Sequence, residues 1–291
     1  MPKTTLMFSG QGSQYVGMGR EYYEQSSLAR DIFDRISDIR PDITKLCFEG
    51  ESSQLNMTIN SQPALYTVGL AGAFAYQEAH NTTPDYIVGF SLGEIPALVY
   101  SGAISIEDGF VLVCKRAEYM QQCAEATDGT MAAIVGIDAN AVQKILDGCD
   151  SKDIWCANFN APLQTVISGN KNSINDLKPY VSKNGGRMVI LNVNGAFHSP
   201  YMQAAADNLK QVVDKLSFND FKIPMYSNID SELYTKNNIR GKIIKSITSP
   251  VKWVQQVEKL HSFGVDKWIE VGAGNVLTGL VNKIVSNLST V

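Results

Sequence analysis

The sequence predicts an α/β protein in two parts: a large domain with a parallel sheet, and an inserted small subdomain of β-α-β-β-α-β order. Three observations carry this. Short apolar runs alternate with helix-length stretches, the pattern of a parallel sheet covered by helices. An apolar strand, Tyr86-Ile87-Val88, runs through Gly89-Phe90-Ser91-Leu92-Gly93 into a helix, and glycines on both sides of the serine let a strand turn that sharply. Between residues 128 and 194 the alternation gives way to strands in closer succession. The expected boundaries are 1–127 and 195–291 for the large domain and 128–194 for the ferredoxin-like insert.

Thr4 to Phe8 reads as a buried strand, followed by the loop Ser9-Gly10-Gln11-Gly12-Ser13-Gln14. Helices are expected over Glu21 to Ile39 and Ala64 to His80, then strand 86–89, the serine turn, and a helix from Glu94 to Ser101 closed by Gly102. Glu107 to Ala126 is a further helix. In the insert, Met131 to Ile137 is a strand and Ala139 to Leu146 a short helix. Asp153 to Asn158 and Gln164 to Gly169 are strands about a turn containing Pro162. Ser173 to Ser182 is a helix interrupted at Pro179, and Arg187 to Val193 a strand. The chain then returns to helix over Met202 to Leu216, strand over Pro224 to Ser227, helix over Val251 to Phe263 and strand over Asp266 to Val271. Gly272-Ala273-Gly274 opens the final helix.

With 291 residues, 44% hydrophobic and 19% charged, the chain has ample material for a globular core. No apolar run reaches the ~18 residues of a membrane span, and no signal-peptide core precedes the first strand, so a cytoplasmic protein without a membrane partner is expected. The five cysteines (Cys47, Cys114, Cys123, Cys149 and Cys156) contain no C-x-x-C pair and suggest reduced thiols rather than disulfides or a metal site. A net charge of −4 without a clustered basic face argues against a nucleic-acid partner.

The residues that can carry chemistry are few. Ser91 sits at a G-x-S-x-G nucleophile elbow of the α/β-hydrolase-like kind, although a serine N-cap after a tight turn gives the same pentapeptide. A serine nucleophile needs a base within hydrogen-bond reach. Of the three histidines, His80 and His261 lie at helix C-termini, where a positive charge suits the helix dipole. His198 lies in a loop, Asn194-Gly195-Ala196-Phe197-His198-Ser199-Pro200, and is the base by elimination, the alternative being a satisfied loop histidine. The glycine loop 9–14 is neither a Walker loop nor G-x-G-x-x-G; its amides suit an oxyanion, or it is a plain turn. Arg116 falls at the edge of the apolar face marked by Phe110, Val113 and Ala117, where a guanidinium either binds a carboxylate or snorkels.

Taken together these motifs resemble the malonyl-CoA:acyl carrier protein transacylase family, which includes stand-alone acyltransferases of fatty-acid synthesis and trans-acting acyltransferases of polyketide synthases. The resemblance runs through Gly10-Gln11-Gly12-Ser13-Gln14, Gln62-Pro63-Ala64-Leu65, Gly89-Phe90-Ser91-Leu92-Gly93-Glu94 and Lys115-Arg116-Ala117. It continues in Gly195-Ala196-Phe197-His198-Ser199-Pro200, Ser249-Pro250-Val251-Lys252-Trp253 and Glu270-Val271-Gly272-Ala273-Gly274. It implies Ser91 as nucleophile, His198 as base and then acid, and the Gln11 and Leu92 amides as the oxyanion hole. It further implies Arg116 as partner of a malonyl carboxylate, with Gln62, Phe90 and Phe197 also on the substrate side. Phe197 matches the malonyl-selecting form, whereas Phe90 replaces a common histidine. The family orients its histidine with a backbone carbonyl, which by register from Pro250 is that of Ser246, where glutamine is usual.

The implied activity is transfer of a malonyl group from malonyl-CoA to the phosphopantetheine thiol of an acyl carrier protein, with no metal or redox cofactor. The rival readings are an acyl hydrolase that clears carrier proteins and a non-catalytic carrier-protein docking module. Lys171, Lys183 and Arg187 of the insert and Lys242, Lys245 and Lys252 of the large domain are the basic residues expected to meet an acidic carrier protein.

Overall fold

The computed structural model describes residues 2–289. Its strands, in chain order, are β1 (Lys3–Phe8), β2 (Tyr86–Gly89), β3 (Gly129–Val135), β4 (Ile154–Ala161), β5 (Gln164–Asn170), β6 (Arg187–Ile190), β7 (Met225–Tyr226) and β8 (Val265–Val271). They form two four-stranded sheets. One runs β7-β2-β1-β8 and is parallel throughout; the other runs β4-β5-β3-β6 and is antiparallel throughout.

The helices are α1 (Arg20–Gln25), α2 (Ser27–Ser37), α3 (Ile43–Glu49), α4 (Ser52–Leu55), α5 (Thr58–His80), α6 (Glu94–Tyr100) and α7 (Ile106–Glu125). After β3 come α8 (Ala139–Gly148), α9 (Lys171–Asp176), α10 (Lys178–Lys183), α11 (Gln203–Val213), α12 (Ile239–Ser246), α13 (Trp253–Ser262) and α14 (Val276–Leu288).

The apolar run of β1 is explained by helices on both sides of the parallel sheet. Leu6 and Phe8 join the core built with α5, α6 and α7, while Met7 between them packs with Trp253, Val257 and Leu277 on the opposite face. The antiparallel sheet alternates instead. Ala132 and Ile134 of β3 meet Val142, Ile174 and Val181 of the covering helices, and Met131 and Ala133 face the core of the large part. Two backbone bonds tie β4 to the segment that precedes α13: Phe159 N–H to Val251 O at 2.9 Å and Val251 N–H to Ala157 O at 2.8 Å.

Several elements differ from expectation for local reasons. The helix expected over 21–39 breaks at Ser26, which is extended (φ −124°) and whose hydroxyl caps α2 by accepting from Ala29 N–H. The helix expected from Ala64 starts at Thr58, with Pro63 inside it. Proline cannot donate to the Ile59 carbonyl, and Arg40 Nη1 donates to that oxygen instead, at 3.4 Å. The helix expected over 173–182 is two, α9 and α10, meeting at Leu177. β6 ends at Ile190, short of Val193, and Val251 pairs with Asn158 instead of opening α13. Helices α3, α4 and α12 were not anticipated. Among the described residues no helix is long and apolar enough to cross a membrane, and no cluster of three or more His, Cys, Asp or Glu is arranged to hold a metal. The five cysteines are free.

Candidate active site

β1 and β2 end side by side, and the turn after β2 is packed against both. A Cβ on Gly89 would lie 2.2 Å from the Gly93 carbonyl carbon, and one on Gly93 would lie 2.1 Å from Phe8 O. The two glycines are therefore demanded by close approach. The left-handed backbone of the turn falls on the serine itself, at φ +52°. Such a conformation costs a non-glycine residue about 1–3 kcal/mol and persists only where its surroundings over-determine it.

Ser91 Oγ is 2.8 Å from His198 Nε2. His198, also left-handed (φ +58°), is 5% exposed in the loop that returns from the insert. Its Nδ1 lies 3.0 Å from both Ser246 O and Ser249 O. Carbonyls only accept, so the proton sits on Nδ1 and the Nε2 lone pair faces the serine hydroxyl. Burial, then the Arg116 charge, lowers the imidazole from 6.5 to about 4 against the favourable pull of the two carbonyls. It is neutral near pH 7 and able to take a proton. The Ser246 carbonyl is where register put it; the Ser249 carbonyl was not foreseen. The other two histidines are elsewhere: His80 stacks on Tyr76 and His261 bonds to Val265 O.

Arg116 projects from α7 and is 2% exposed, more deeply buried than an edge position implied. Its Nη1 donates to Gln62 Oε1 at 2.6 Å and its Nη2 to Ser91 Oγ at 3.3 Å. Burial lowers it to about 10, which leaves it cationic at neutral pH. Among the described residues no carboxylate lies within ion-pairing distance of it. A buried cation without a protein anion carries a large desolvation cost unless a ligand supplies the charge.

Gln11, Phe90, Ser91, Arg116, Phe197 and His198 all line one cavity of about 230 Å³ between the two sheets. Phe90, in the position expected of a histidine, packs edge-on against Trp253 with ring centroids 5.5 Å apart. The insert contributes Met131, Asn158, Asn160 and Val166 to the wall. Gln62 does not line the cavity. It is fully buried and holds the Arg116 guanidinium, while its Nε2 donates to Gln11 Oε1 at 3.4 Å. Around the turn and the glycine loop several amides are tied down: Gly12 N–H to Gln14 Oε1, Ser91 N–H to Asn228 Oδ1 and Gly93 N–H to Phe90 O. Gln11, expected to supply one oxyanion amide, lines the cavity, and Leu92, expected to supply the other, is buried in the 3-10 turn that follows the serine.

Two residues of the site carried no signal of their own. Asn228 follows β7, where asparagine reads as an ordinary turn residue. Glu94 is 2% exposed, held below the turn with its Oε1 accepting from Asn228 N–H at 2.8 Å. Burial pushes its carboxyl up from 4.5 to about 7. The basic residues expected at a carrier-protein surface are dispersed. Lys242 is buried in an ion pair with Asp230 at 2.7 Å and does not belong to any such surface. Lys171 lines a polar cleft that shares Gln11 and Val193 with the cavity wall. Arg187 pairs with Val135, at the end of β3 remote from Met131.

Residues 5–289 match the family model described as acyl transferase domain. The malonyl CoA-acyl carrier protein transacylase of Bacillus subtilis (strain 168) is 39% identical over 296 residues, covering 100% of this chain and 93% of that protein. The solved malonyl CoA-acyl carrier protein transacylase of Coxiella burnetii superposes with a TM-score of 0.94 at 32% identity, over 97% of this chain and 91% of that one. A malonyl-transacylase solved in complex with its type II polyketide synthase acyl-carrier protein gives a TM-score of 0.94 at 30% identity, over 98% and 93% of the two chains.

Proposed function

This chain belongs to the acyl transferase domain family, and from that premise we propose that it moves a malonyl group from malonyl-CoA to the phosphopantetheine thiol of an acyl carrier protein. Ser91 Oγ attacks the thioester carbonyl while His198 Nε2 takes its proton. The tetrahedral oxyanion is met by the Gln11 and Leu92 amides. Collapse expels the CoA thiolate, which receives the proton from His198, and leaves malonyl esterified to Ser91. The carrier thiol then gives its proton to His198 and attacks the ester, and Ser91 recovers the proton as the malonyl thioester departs. Serine and imidazole supply the nucleophile and both proton transfers, so the reading needs no metal or redox cofactor.

The observation that carries the malonyl reading is Arg116, a buried guanidinium 3.3 Å from the nucleophile with, among the described residues, no carboxylate within ion-pairing distance. A malonyl group brings the missing anion to that position. A hydrolase of simple acyl chains has no use for the cation, and a docking module has no use for a serine 2.8 Å from a neutral imidazole. On the same reading, residues 1–127 and 195–291 form an α/β-hydrolase-like part and 128–194 a ferredoxin-like one, supported by the β4-β5-β3-β6 order, and the protein works in the cytoplasm.

Intact-mass measurement after mixing the chain with malonyl-CoA or acetyl-CoA tests the proposal. Malonyl should accumulate on the wild type and be released by a holo carrier protein, and Ser91→Ala should take no label. Labelling that persists at wild-type level in Ser91→Ala would remove Ser91 from the mechanism.

A further inference from the structure

The strained serine turn has a clasp that no motif announced. Asn228 is 1% exposed and its side chain bridges the two ends of the turn. Oδ1 accepts from Ser91 N–H at 2.5 Å, and Nδ2 donates to Gly89 O at 2.5 Å. Nδ2 also donates to Gln256 Oε1 at 2.8 Å, and Gln256 Nε2 in turn donates to Tyr226 O at 2.8 Å, which fixes which way the amide faces. The backbone of Asn228 is held as firmly. Its N–H donates to Glu94 Oε1, and its carbonyl accepts from Lys252 N–H at 2.8 Å. Every donor and acceptor of this residue is used, and three of the bonds reach the elbow or the helix it opens.

We propose that Asn228 is the positioning residue of the nucleophile, holding Ser91 in its left-handed conformation and keeping the Ser91 amide away from the oxyanion. Two consequences follow from the geometry. With its N–H pinned to Asn228, Ser91 cannot rotate its peptide toward the cavity, so the oxyanion is left to other amides. With Gly89 O held by the same side chain, the last residue of β2 and the nucleophile move only together. The inference deepens the acyl-transfer reading and rests on it for the nature of the acyl donor, though not for Ser91 as nucleophile.

Single-turnover acylation of the full chain by malonyl-CoA, read by quenched-flow intact mass, separates positioning from mere support of the fold. A destabilised but correctly built enzyme labels with a smaller amplitude and an unchanged rate constant. Asn228→Ala should instead lower the rate constant by about 10²-fold, the loss typical of a small misplacement of a reacting group, with half-saturating malonyl-CoA changed by less than about 2-fold. Should Asn228→Ala fail to fold, Gln256→Ala, which removes one acceptor of Asn228 Nδ2 and leaves in place every residue that Asn228 touches in the elbow, should lower the same rate constant by about 10-fold. An unchanged rate constant in the folded variant overturns the proposal, whatever the amplitude. A fluorophosphonate run in parallel reads Ser91 reactivity without an acyl donor. If the wild type takes the phosphonate but not malonyl-CoA, the donor assignment fails, and the same comparison of rate constants, made with the phosphonate, decides the role of Asn228.

Discussion

The two sheets meet at one cavity but bring different things to it. From the parallel-sheet side come the half-buried Ser91 and the buried His198 and Arg116, each held by groups far away in sequence. From the antiparallel sheet come Met131 and Val166, placed by the two-residue alternation of β3 and β5, and Asn158 and Asn160, turned to the same wall where the register of β4 shifts on either side of them. The first set is positioned by strain and saturated hydrogen bonding, the second by which face of a strand a residue falls on. Groups that move protons must be held to a fraction of an ångström, whereas a wall needs only the right volume. Substitutions on the parallel-sheet side should therefore change rate constants, and those on the insert should change affinities.

The largest effect should come from His198→Ala, which removes the imidazole 2.8 Å from the serine hydroxyl. Acylation by malonyl-CoA should slow by about 10²–10⁴-fold, with His80→Ala and His261→Ala near wild type in the same stopped assay. A crippled His261→Ala would break the division, since that histidine is bonded to Val265 O outside the cavity.

Arg116→Ala comes next. A charge-assisted pair lost from a dry site costs about 2–5 kcal/mol, or roughly 30- to several-thousand-fold in kcat/KM for malonyl-CoA. The loss for acetyl-CoA should be much smaller, and the ratio of the two, measured by competition, should collapse toward one. Equal losses would place Arg116 among the fold-supporting residues, along with Gln62, which grips it.

The insert should respond more mildly and in KM. Lys171→Glu, on the polar cleft beside the cavity, should raise KM for an acidic carrier protein by about 3- to 10-fold at low salt, the scale of one charge contact at an interface rim. Acylation from malonyl-CoA should be unaffected. Lys183→Glu and Arg187→Glu, on α10 and at the remote end of β6, should change neither quantity. A carrier KM that moves with Arg187 and not with Lys171 would place docking on the opposite end of the sheet.

A last effect, read in stability and not in rate, concerns two buried groups, Glu94 below the elbow and His198 beside its serine. Glu94, raised to about 7, holds its proton in the folded chain where the unfolded chain has lost it, so its contribution is full below about 4.5 and lost as pH rises to about 7. His198, lowered to about 4, stays neutral where the unfolded chain is charged, so its contribution is present above about 6.5 and lost as pH falls. Between pH 4.5 and 6.5 the two slopes oppose each other. Glu94→Gln should unmask the histidine: relative to wild type, urea-unfolding stability should fall by about 1.4 kcal/mol for each pH unit of acidification in that window. A difference independent of pH would mean that Glu94 is ionised throughout.

Much of this architecture was legible because it is written in local pattern. The parallel and antiparallel sheets announced themselves through their runs and alternations, and the Ser91 turn through two glycines whose Cβ atoms would strike backbone. What stayed hidden depends on partners with no local signature. Asn228 is 137 residues from the serine amide it holds, and nothing in Ser227-Asn228 separates it from an ordinary turn. Gln62 looks like a ligand from its motif, yet its partner is Arg116 across 54 residues. Helix α12 buries Ile239, Ile243 and Ser246 on one side, but Lys242 lies on the same side and is buried with an ion-pair partner, which blurs the apolar period. The break at Ser26 and the continuation through Pro63 are set by a hydroxyl cap and by Arg40, which supplies the missing donor.

The imidazole of His198 is oriented by two neutral carbonyls, and the nearest strong charge acting on it is the guanidinium of Arg116, which after burial is the main cause of its weak basicity. That arrangement makes the strength of the base a property of the acyl group in the pocket. A donor bearing its own carboxylate cancels the guanidinium field and lets the imidazole accept the serine proton beside a neutral pair. An uncharged acyl group leaves the imidazolium to form next to a bare cation. On the proposed reading, discrimination between the two donors acts on the chemical step as well as on residence in the cavity. On that reading, the anion paired with Arg116 is also the counter-ion that strengthens the base.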